Sequence, residues 1–371
     1  MRATKPISTF FAEVNQAMQK IFSKWVQRYF SNEEALLLFL LLFVSGLVIW
    51  HLGGALIPVF AGLILAFMMQ GGVNRLKSIG LGHKSAVATM FIVFTGFVVA
   101  MFLFILPAVW TQLVNLFNEL PGMVTKLQQV LMLLPQNYPE LVSAEQIRNL
   151  IGTAAAELSQ LGQWLLSFSL SSLTGVLTAL IYFVLVPILV LFFLLDGDRL
   201  IAGWTAFLPK KRVMMDQVWN EMDSQLANYI RGKAIEILIV GVATFISFAL
   251  LGINYAALLG LLVGLSVLIP YIGAAVVTVP VALIAFFQWG WSDQFLYLML
   301  AYTIIQAIDG NVIVPLLFSE AVNLHPVSII VAVLVFGTLW GFWGVFFAIP
   351  LATLVKSIVS AWPTADELPP A

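Results

Sequence analysis

Apolar residues run almost unbroken through about 35–70, 86–109, 173–195 and 234–252, and polar residues gather between these runs. A helix needs roughly 20 apolar residues to cross about 30 Å of hydrocarbon. The first run is too long for one crossing and is interrupted at His51-Leu52-Gly53-Gly54, so it predicts two spans joined by a tight hairpin. The run over 86–109 predicts a third span ending near Pro107 and Trp110, that over 173–195 a fourth ending at Asp196-Gly197-Asp198-Arg199, and that over 234–252 a fifth. None of them shows the two-residue alternation of a transmembrane β-barrel. The polar intervals carry helical stripes of their own. One holds Leu113, Leu116, Phe117, Leu120, Val124, Leu127, Leu131 and Leu134, and another Ile147, Leu150, Ile151, Ala154, Leu158 and Leu161. Such stripes must be covered, by each other, by the membrane surface, or by a second copy of the chain in a homo-oligomer. Leu200, Ile201, Trp204, Phe207 and Leu208 predict an interfacial helix, and Val218, Met222, Leu226 and Tyr229 a helix before the fifth span.

Beyond residue 252 the pattern changes. Two apolar stretches, about 256–288 and 326–355, are each broken in the middle. The first is broken at Pro270-Tyr271-Ile272-Gly273, with Pro280 further on, and the second at Gly337 and Gly341-Phe342-Trp343-Gly344, with Pro350 further on. Each half is about 14–17 residues, or roughly 21–25 Å of helix, short of a full crossing. Lipid cannot satisfy a broken backbone, so such breaks are buried in protein or line a cavity. Paired Gly/Pro interruptions in corresponding places point to a transporter binding site. The halves form either re-entrant hairpins or short full crossings. The expected fold is thus an all-α integral membrane protein, a polytopic bundle of about eight hydrophobic segments with two interrupted hairpins in its C-terminal half.

Composition sharpens this picture. Of 371 residues, 61% are hydrophobic and only 9% charged, and the mean hydropathy is +1.02, far from the composition of a soluble domain. About thirty polar and amphipathic residues precede the first run, which does not resemble a cleaved signal peptide. With no cysteine there is no disulfide, Cys-ligated metal or thiol nucleophile. A net charge of −1 gives no electrostatic basis for a nucleic-acid partner. Fifteen of the 17 basic residues fall on one side of the expected spans, and only Lys126 and Arg148 lie in 110–172. The positive-inside rule then places both termini in the cytoplasm and 110–172 outside. The resulting organisation is a cytoplasmic amphipathic segment (1–34), three spans (35–109), an extracytoplasmic helical segment (110–172), a fourth span (173–195), a cytoplasmic helical segment (196–233), a C-terminal core (234–357) and a tail (358–371).

Residues 234–355 contain no Lys or Arg and four acids, Glu236, Asp293, Asp309 and Glu320. Asp309 lies within a hydrophobic span of about 294–316, in Gln306-Ala307-Ile308-Asp309-Gly310-Asn311, with Pro315 one turn on. Helical spacing predicts one face for Tyr302, Thr303, Gln306, Asp309 and Gly310. An ionisable group at membrane depth is costly and marks an ion or proton pathway. It also serves as interhelical hydrogen-bond glue in other bundles. With no basic residue in this window, a bound Na+ or H+ is the simplest partner for Asp309, with Gln306 and Asn311 supplying neutral oxygens. Glu236, three residues after Lys233, predicts a local ion pair. His325-Pro326 opens the second broken stretch and reads as a helix start or a pathway residue. No metal ligand set and no cofactor is assigned beyond that coupling ion.

Several segments carry a resemblance in order: Tyr229-Ile230-Arg231-Gly232, Ile269 through Gly273, Gln306 through Asn311 with Pro315, Leu324-His325-Pro326, and Gly341 through Gly344 with Ala348-Ile349-Pro350. Over roughly 35–357 the chain resembles the autoinducer-2 exporter (AI-2E) family of bacterial membrane proteins. Lys233 stands where the family pattern carries Gln, and Phe318-Ser319-Glu320 where it carries Gly. The resemblance implies a transporter of small solutes in a bacterial inner membrane. Members of the family are associated with autoinducer-2 export or with sodium/proton exchange. No Gly-x4-Gly-Lys-Ser/Thr loop and no hydrolase arrangement is visible, so neither ATP-driven transport nor an enzyme is expected. Three readings remain: a secondary transporter coupled to an ion or proton gradient, a passive channel, and a membrane scaffold. In the first, the pathway residues are Asp309, Gln306, Asn311, Gly310, Thr303, Pro270, Tyr271, Gly273, His325, Gly341 and Gly344.

Overall fold

The computed structural model describes residues 33–132, 173–318 and 324–362, with scattered positions between 143 and 160. The N-terminal segment, the tail beyond 362, Leu134 and most of the second stripe (Leu150, Ala154, Leu158, Leu161) lie outside the described residues. The regular elements of the described residues are helical, chief among them α1 (Glu33–Ser78), α2 (His83–Leu131), α3 (Leu173–Thr205), α4 (Val213–Leu251), α5 (Ala256–Ser266), α6 (Ile272–Trp289), α7 (Asp293–Ile308), α8 (Val314–Phe318), α9 (Pro326–Phe346) and α10 (Ala348–Ala361). A π-helical turn, Asp309–Ile313, joins α7 to α8. Among the described residues, seven segments are long and apolar enough to cross a membrane, and α5 and α10 are shorter apolar helices. The chain is a multi-pass, all-α membrane protein. Its exposed surface is built from residues such as Phe102, Leu103, Phe104, Phe183 and Leu250, which suits contact with acyl chains.

Four expected boundaries are not there. The hairpin at His51–Gly54 does not form. α1 runs through it for 46 residues, about 69 Å of helix. Nothing lies within 4 Å of where a Cβ would stand on Gly53 or Gly54, so no close approach requires either glycine. Each glycine costs about 1 kcal/mol in helix propensity, less than orphaned backbone groups would cost in lipid. For the same reason α2 continues through Pro107 and Pro121, α3 through Asp196-Gly197-Asp198-Arg199, and α4 joins the polar helix before residue 230 to the span after it. The Thr111 and Thr125 hydroxyls donate back to the Pro107 and Pro121 carbonyls, at 2.9 and 3.0 Å. The expected interfacial helix at 200–208 is the continuation of α3, with Trp204 and Phe207 beyond three-quarters exposed.

The chain divides into two compact units. One comprises 58–196 and 228–321, and the other 1–57, 197–227 and 322–371. In the first, Val240 and Phe248 of α4 pack with Leu259 and Val263 of α5, Val281 and Ala285 of α6, and Leu298 and Tyr302 of α7. α4 and α5 cross closely. A Cβ on Gly264 would stand 2.9 Å from the Gly241 Cα and from the Ile237 carbonyl oxygen, so only glycine allows this approach. Leu113, Leu116 and Met123 of α2 pack on the same core, and the Gln112 side chain accepts from the Leu258 N–H at 2.9 Å. Part of the first amphipathic stripe is thus covered from within the chain. A second cluster joins Met69 and Val73 of α1, Ala86 and Val87 of α2, and Val190 and Leu194 of α3.

In the other unit, Ala35 and Leu38 of α1 pack with Met214, Met215 and Val218, and with Leu354 and Ile358 of α10. The Glu34 carboxylate accepts from the Met215 N–H at 2.7 Å. Arg212 pairs with Asp216 at 2.9 Å and also donates to the Thr205 carbonyl.

Both interrupted stretches fold back on themselves, each within its own unit. The first leaves α5 at Ser266 and enters α6 at Ile272 through Tyr271, whose φ is +63°. A Cβ on Gly273 would collide with the Ser266 carbonyl, so glycine is what lets the second limb lie against the first. In the second stretch the backbone turns at Gly341 (φ 58°, ψ −135°), and a Cβ on Gly344 would collide with the Phe336 carbonyl. α5 is about 16 Å long, too short to cross the hydrocarbon.

Candidate functional site

The site lies in the unit formed by 58–196 and 228–321. α7 is capped at its start by Ser292, which accepts from the Phe295 N–H. At Asp309 the helix widens into the π-turn before α8. π-Bulges concentrate at functional sites because they re-aim side chains and loosen the backbone ladder. Here the widening places Asp309 inward, 8% exposed, and its Oδ1 makes no hydrogen bond. One turn earlier, the Nε2 of Gln306 is also buried without a partner. A further turn back, the buried Tyr302 hydroxyl donates to the Ala274 carbonyl of α6 and shares a 2.8 Å hydrogen bond with Thr278. Tyr302, Gln306 and Asp309 thus form a polar row on the inner face of α7, with Tyr302 bonded to the second limb of the first hairpin.

The opposite wall is α4. Lys233 and Glu236 are buried, 5% and 1% exposed, and their charged groups meet at 2.8 Å. The Lys233 ammonium also donates to the Val267 carbonyl at 2.8 Å. Val267 follows directly on α5, at the head of the broken turn, where the helical ladder stops and its last carbonyls lack intrahelical partners. A third side of the ammonium faces the Phe318 ring, 5.2 Å from its centroid. That ring is seated on Gly232, where a Cβ would stand 2.6 Å from Phe318 Cε1, and it leans on Tyr229 at 5.9 Å. The run Tyr229 to Lys233 therefore builds one pocket: an aromatic wall, a glycine that admits the ring of α8, and the cation beneath it. Asp309 lies within electrostatic reach of both Lys233 and Glu236.

This arrangement overturns one expectation. Asp309 is not without a basic neighbour, because Lys233 stands one position outside the stretch that lacks Lys and Arg. The sequence shows the Lys233–Glu236 pair as adjacent turns of one helix. It gives no sign that α4 turns this pair towards α7. The expected shared face also divides. Thr303 and Asn311 point outwards and bond to their own helix, Thr303 to the Met299 carbonyl (2.7 Å) and Asn311 to the Ala307 carbonyl (2.8 Å). Gly310 is exposed as well. Thr303 and Gly310 lie at one edge of the expected face, about 100° on from Tyr302 and Asp309, and Asn311, expected only as a neutral oxygen donor, lies about 200° on from Asp309.

The remaining candidates are dispersed. Pro270 and Gly273 lie in the first hairpin turn, with Gly273 buried, and the Tyr271 side chain is 60% exposed. Gly341 and Gly344 shape the second hairpin, in the other unit. His325 caps α9, its Nδ1 accepting from the Val327 N–H at 3.3 Å, as a helix-start residue does. A separate cavity of about 470 Å³ is lined by Asn118, Glu119, Lys126, Asn254, Tyr255 and Gln288 among others. Some of its polar groups are engaged. The Gln288 amide accepts from the Asn254 N–H at 2.7 Å and donates to the Gly252 carbonyl at 2.9 Å. Burial, and then the Glu119 carboxylate it bonds, push the Tyr255 phenol up to about 12.

A helical membrane bundle with broken helices, a buried charge cluster and a widened helical turn beside it defines a transporter class of protein. The comparisons narrow this. Residues 37–364 match the model of the AI-2E family transporters, and the chain belongs to that family. It is 44% identical over 346 residues to a protein of Escherichia coli (strain K12) named "Putative permease PerM", covering 93% of this chain and 98% of that one. It is 26% identical over 312 residues to "Putative transport protein YueF" of Bacillus subtilis (strain 168), covering 81% and 82%. A third relative, "Putative transport protein sll0063" of Synechocystis, is 26% identical over 314 residues. The chain is a membrane permease of this family.

Proposed function

We propose that the chain is a secondary transporter of a bacterial inner membrane, moving a small polar solute or ion in exchange for a cation or proton bound at Asp309. One observation carries this reading: a buried carboxylate oxygen without a partner, set in a π-turn of an apolar helix. An ionised group held there must be compensated. Lys233 is shared with Glu236, so one negative charge of the cluster is left for an exchangeable ion. Gain and loss of that ion changes the net charge of the site and so links its occupancy to a gradient. The π-turn and the half-length helix α5 are the backbone features able to rearrange as occupancy changes. In this reading the first hairpin is re-entrant, the second has the corresponding role in its own unit, and the termini lie in the cytoplasm as the basic residues suggest. The exposed apolar helix faces suit lipid and a second copy of the chain.

The test is flux in proteoliposomes containing the purified protein, with sodium and pH gradients imposed separately. Coupled transport predicts movement of protons or sodium that collapses when the driving gradient is removed. Movement indifferent to both gradients would establish a passive channel instead.

A further inference from the structure

We infer that Lys233 is a tethered cation filling the oxygen cage of this site, so that the ion exchanged is a proton on Asp309 and not a metal ion. The inference rests on the coupled-transport reading above and names its ion. The Lys233 ammonium has the surroundings of a bound monovalent cation: a carboxylate oxygen of Glu236 at 2.8 Å, the Val267 carbonyl oxygen at 2.8 Å, and the face of Phe318. Hard metal ions need several oxygens converging on one point. Here the two best-placed oxygens already converge on Nζ, and its three hydrogens and positive charge exclude a second cation from the same space.

Among the described residues, the oxygens left on this face of α7 are those of the Asp309 carboxylate and the Gln306 amide, fewer than a hard metal ion gathers. The Oδ1 of Asp309 is buried without a partner. Asn311 and Thr303, the neutral donors expected from the sequence, point away and bond to their own helix. On the same face, the Gln306 amide has a buried nitrogen without an acceptor, a donor suited to a carboxylate, and a single neutral oxygen. A proton needs no coordination shell. It binds Asp309 by forming one O–H bond and leaves by breaking it, and no other atom changes partner.

Charge balance agrees. With Lys233 positive and Glu236 and Asp309 negative, the cluster carries one net negative charge, and one proton makes it neutral. Within two turns of the cluster, α4 also carries Tyr229 and Arg231 and α7 carries Tyr302; Asp216, Glu221 and Asp223 lie ten or more residues earlier than Lys233 on α4, and Asp293 and Tyr297 twelve or more residues earlier than Asp309 on α7. Arg231 donates to Asn228 at 2.9 Å, and Tyr302 is held by Thr278 and Ala274. The turn between α5 and α6 brings no charge. Asp309 is therefore the group in the cluster left to exchange a proton.

Purified full-length protein in detergent tests this with 22Na+ as the probe. Wild type is expected to show no saturable 22Na+ binding. Lys233→Gln, which vacates the cage and leaves both carboxylates, is expected to gain it, and Lys233→Gln/Asp309→Asn to lose it again. Saturable binding by wild type that Asp309→Asn removes would overturn the inference, whatever the Lys233 variant does. So would a monodisperse Lys233→Gln protein that binds no sodium. Infrared difference spectra of wild type between acid and alkaline pH supply an arm that needs no Lys233 variant. A carboxylic C=O band that Asp309→Asn abolishes is expected, and absence of any such band contradicts the inference. Sodium binding by wild type would leave coupled transport standing with a different ion. Proteoliposomes inert to every gradient would remove the transport reading and leave the binding results intact.

Discussion

The two interrupted hairpins solve one backbone problem with different side chains. In each, a glycine of the second limb rests where any Cβ would strike a carbonyl of the first: Gly273 on Ser266, Gly344 on Phe336. At the first hairpin the freed Val267 carbonyl is met by the Lys233 ammonium, and the charged cluster with Asp309 adjoins it. The second is packed with rings. Phe336 stacks on Trp340 at 5.7 Å, and Phe346 meets Phe347 edge-on at 4.7 Å. Their turn residues also differ. The first forces a tyrosine to φ +63°, whereas the second uses glycine at φ +58°. Repeated geometry thus carries a charge cluster beside one copy and aromatic packing in the other.

Breaking the charge cluster is expected to have the largest effect on stability. Lys233→Met leaves Glu236 and the Val267 carbonyl buried without the cation, and truncating one partner of a buried pair costs about 3–5 kcal/mol. Thermal melting followed by size-exclusion chromatography should show a large loss, smaller when Glu236→Gln is added. Equal losses in the single and double variants would mean that the pair does not hold the first hairpin.

The glycine contacts come next. Gly273→Ala and Gly344→Ala each push a methyl into a backbone carbonyl, and overpacking of this kind costs about 1–3 kcal/mol or more. Both variants should melt well below wild type. Gly53→Ala, on an open stretch of α1, should be neutral or stabilising by up to about 1 kcal/mol. A strongly destabilised Gly53→Ala would restore the hairpin that the continuous helix replaces.

The turn residues provide the finest comparison. A non-glycine residue held at positive φ costs about 1–3 kcal/mol, and Tyr271 is largely exposed, with little packing to lose. Tyr271→Gly should therefore raise the melting temperature and Gly341→Ala lower it. If both variants lower it, the Tyr271 side chain has a role beyond completing the turn.

Much of this was legible in the sequence, and the failures share a cause. The breaks at Pro270–Gly273 and Gly341–Gly344 are local, since Gly and Pro act on their own backbone, and both lie where the spacing puts them. The His51–Gly54 break and the ends at Pro107 and Asp196–Arg199 were read from the same residue types. There the hydrogen-bond ladder of a long helix outweighs local propensity. Asp309 is conspicuous as an acid in an apolar run, but the inward turn of Lys233 and Glu236 towards it depends on how α4 packs on α5. Gly241 and Gly264 set that packing from positions 23 residues apart. The outward turn of Asn311 follows from helical spacing itself, which sets it about 200° round the helix from Asp309.

The most direct test of the central claim measures protons bound by Asp309. Wild type and Asp309→Asn protein, each shown to be folded and monodisperse in detergent, are titrated from alkaline to acid pH while the protons taken up per chain are counted. Wild type should take up one proton more per chain than Asp309→Asn. Proton uptake by Asp309→Asn equal to that of wild type would contradict the account and leave Asp309 a structural residue of the bundle.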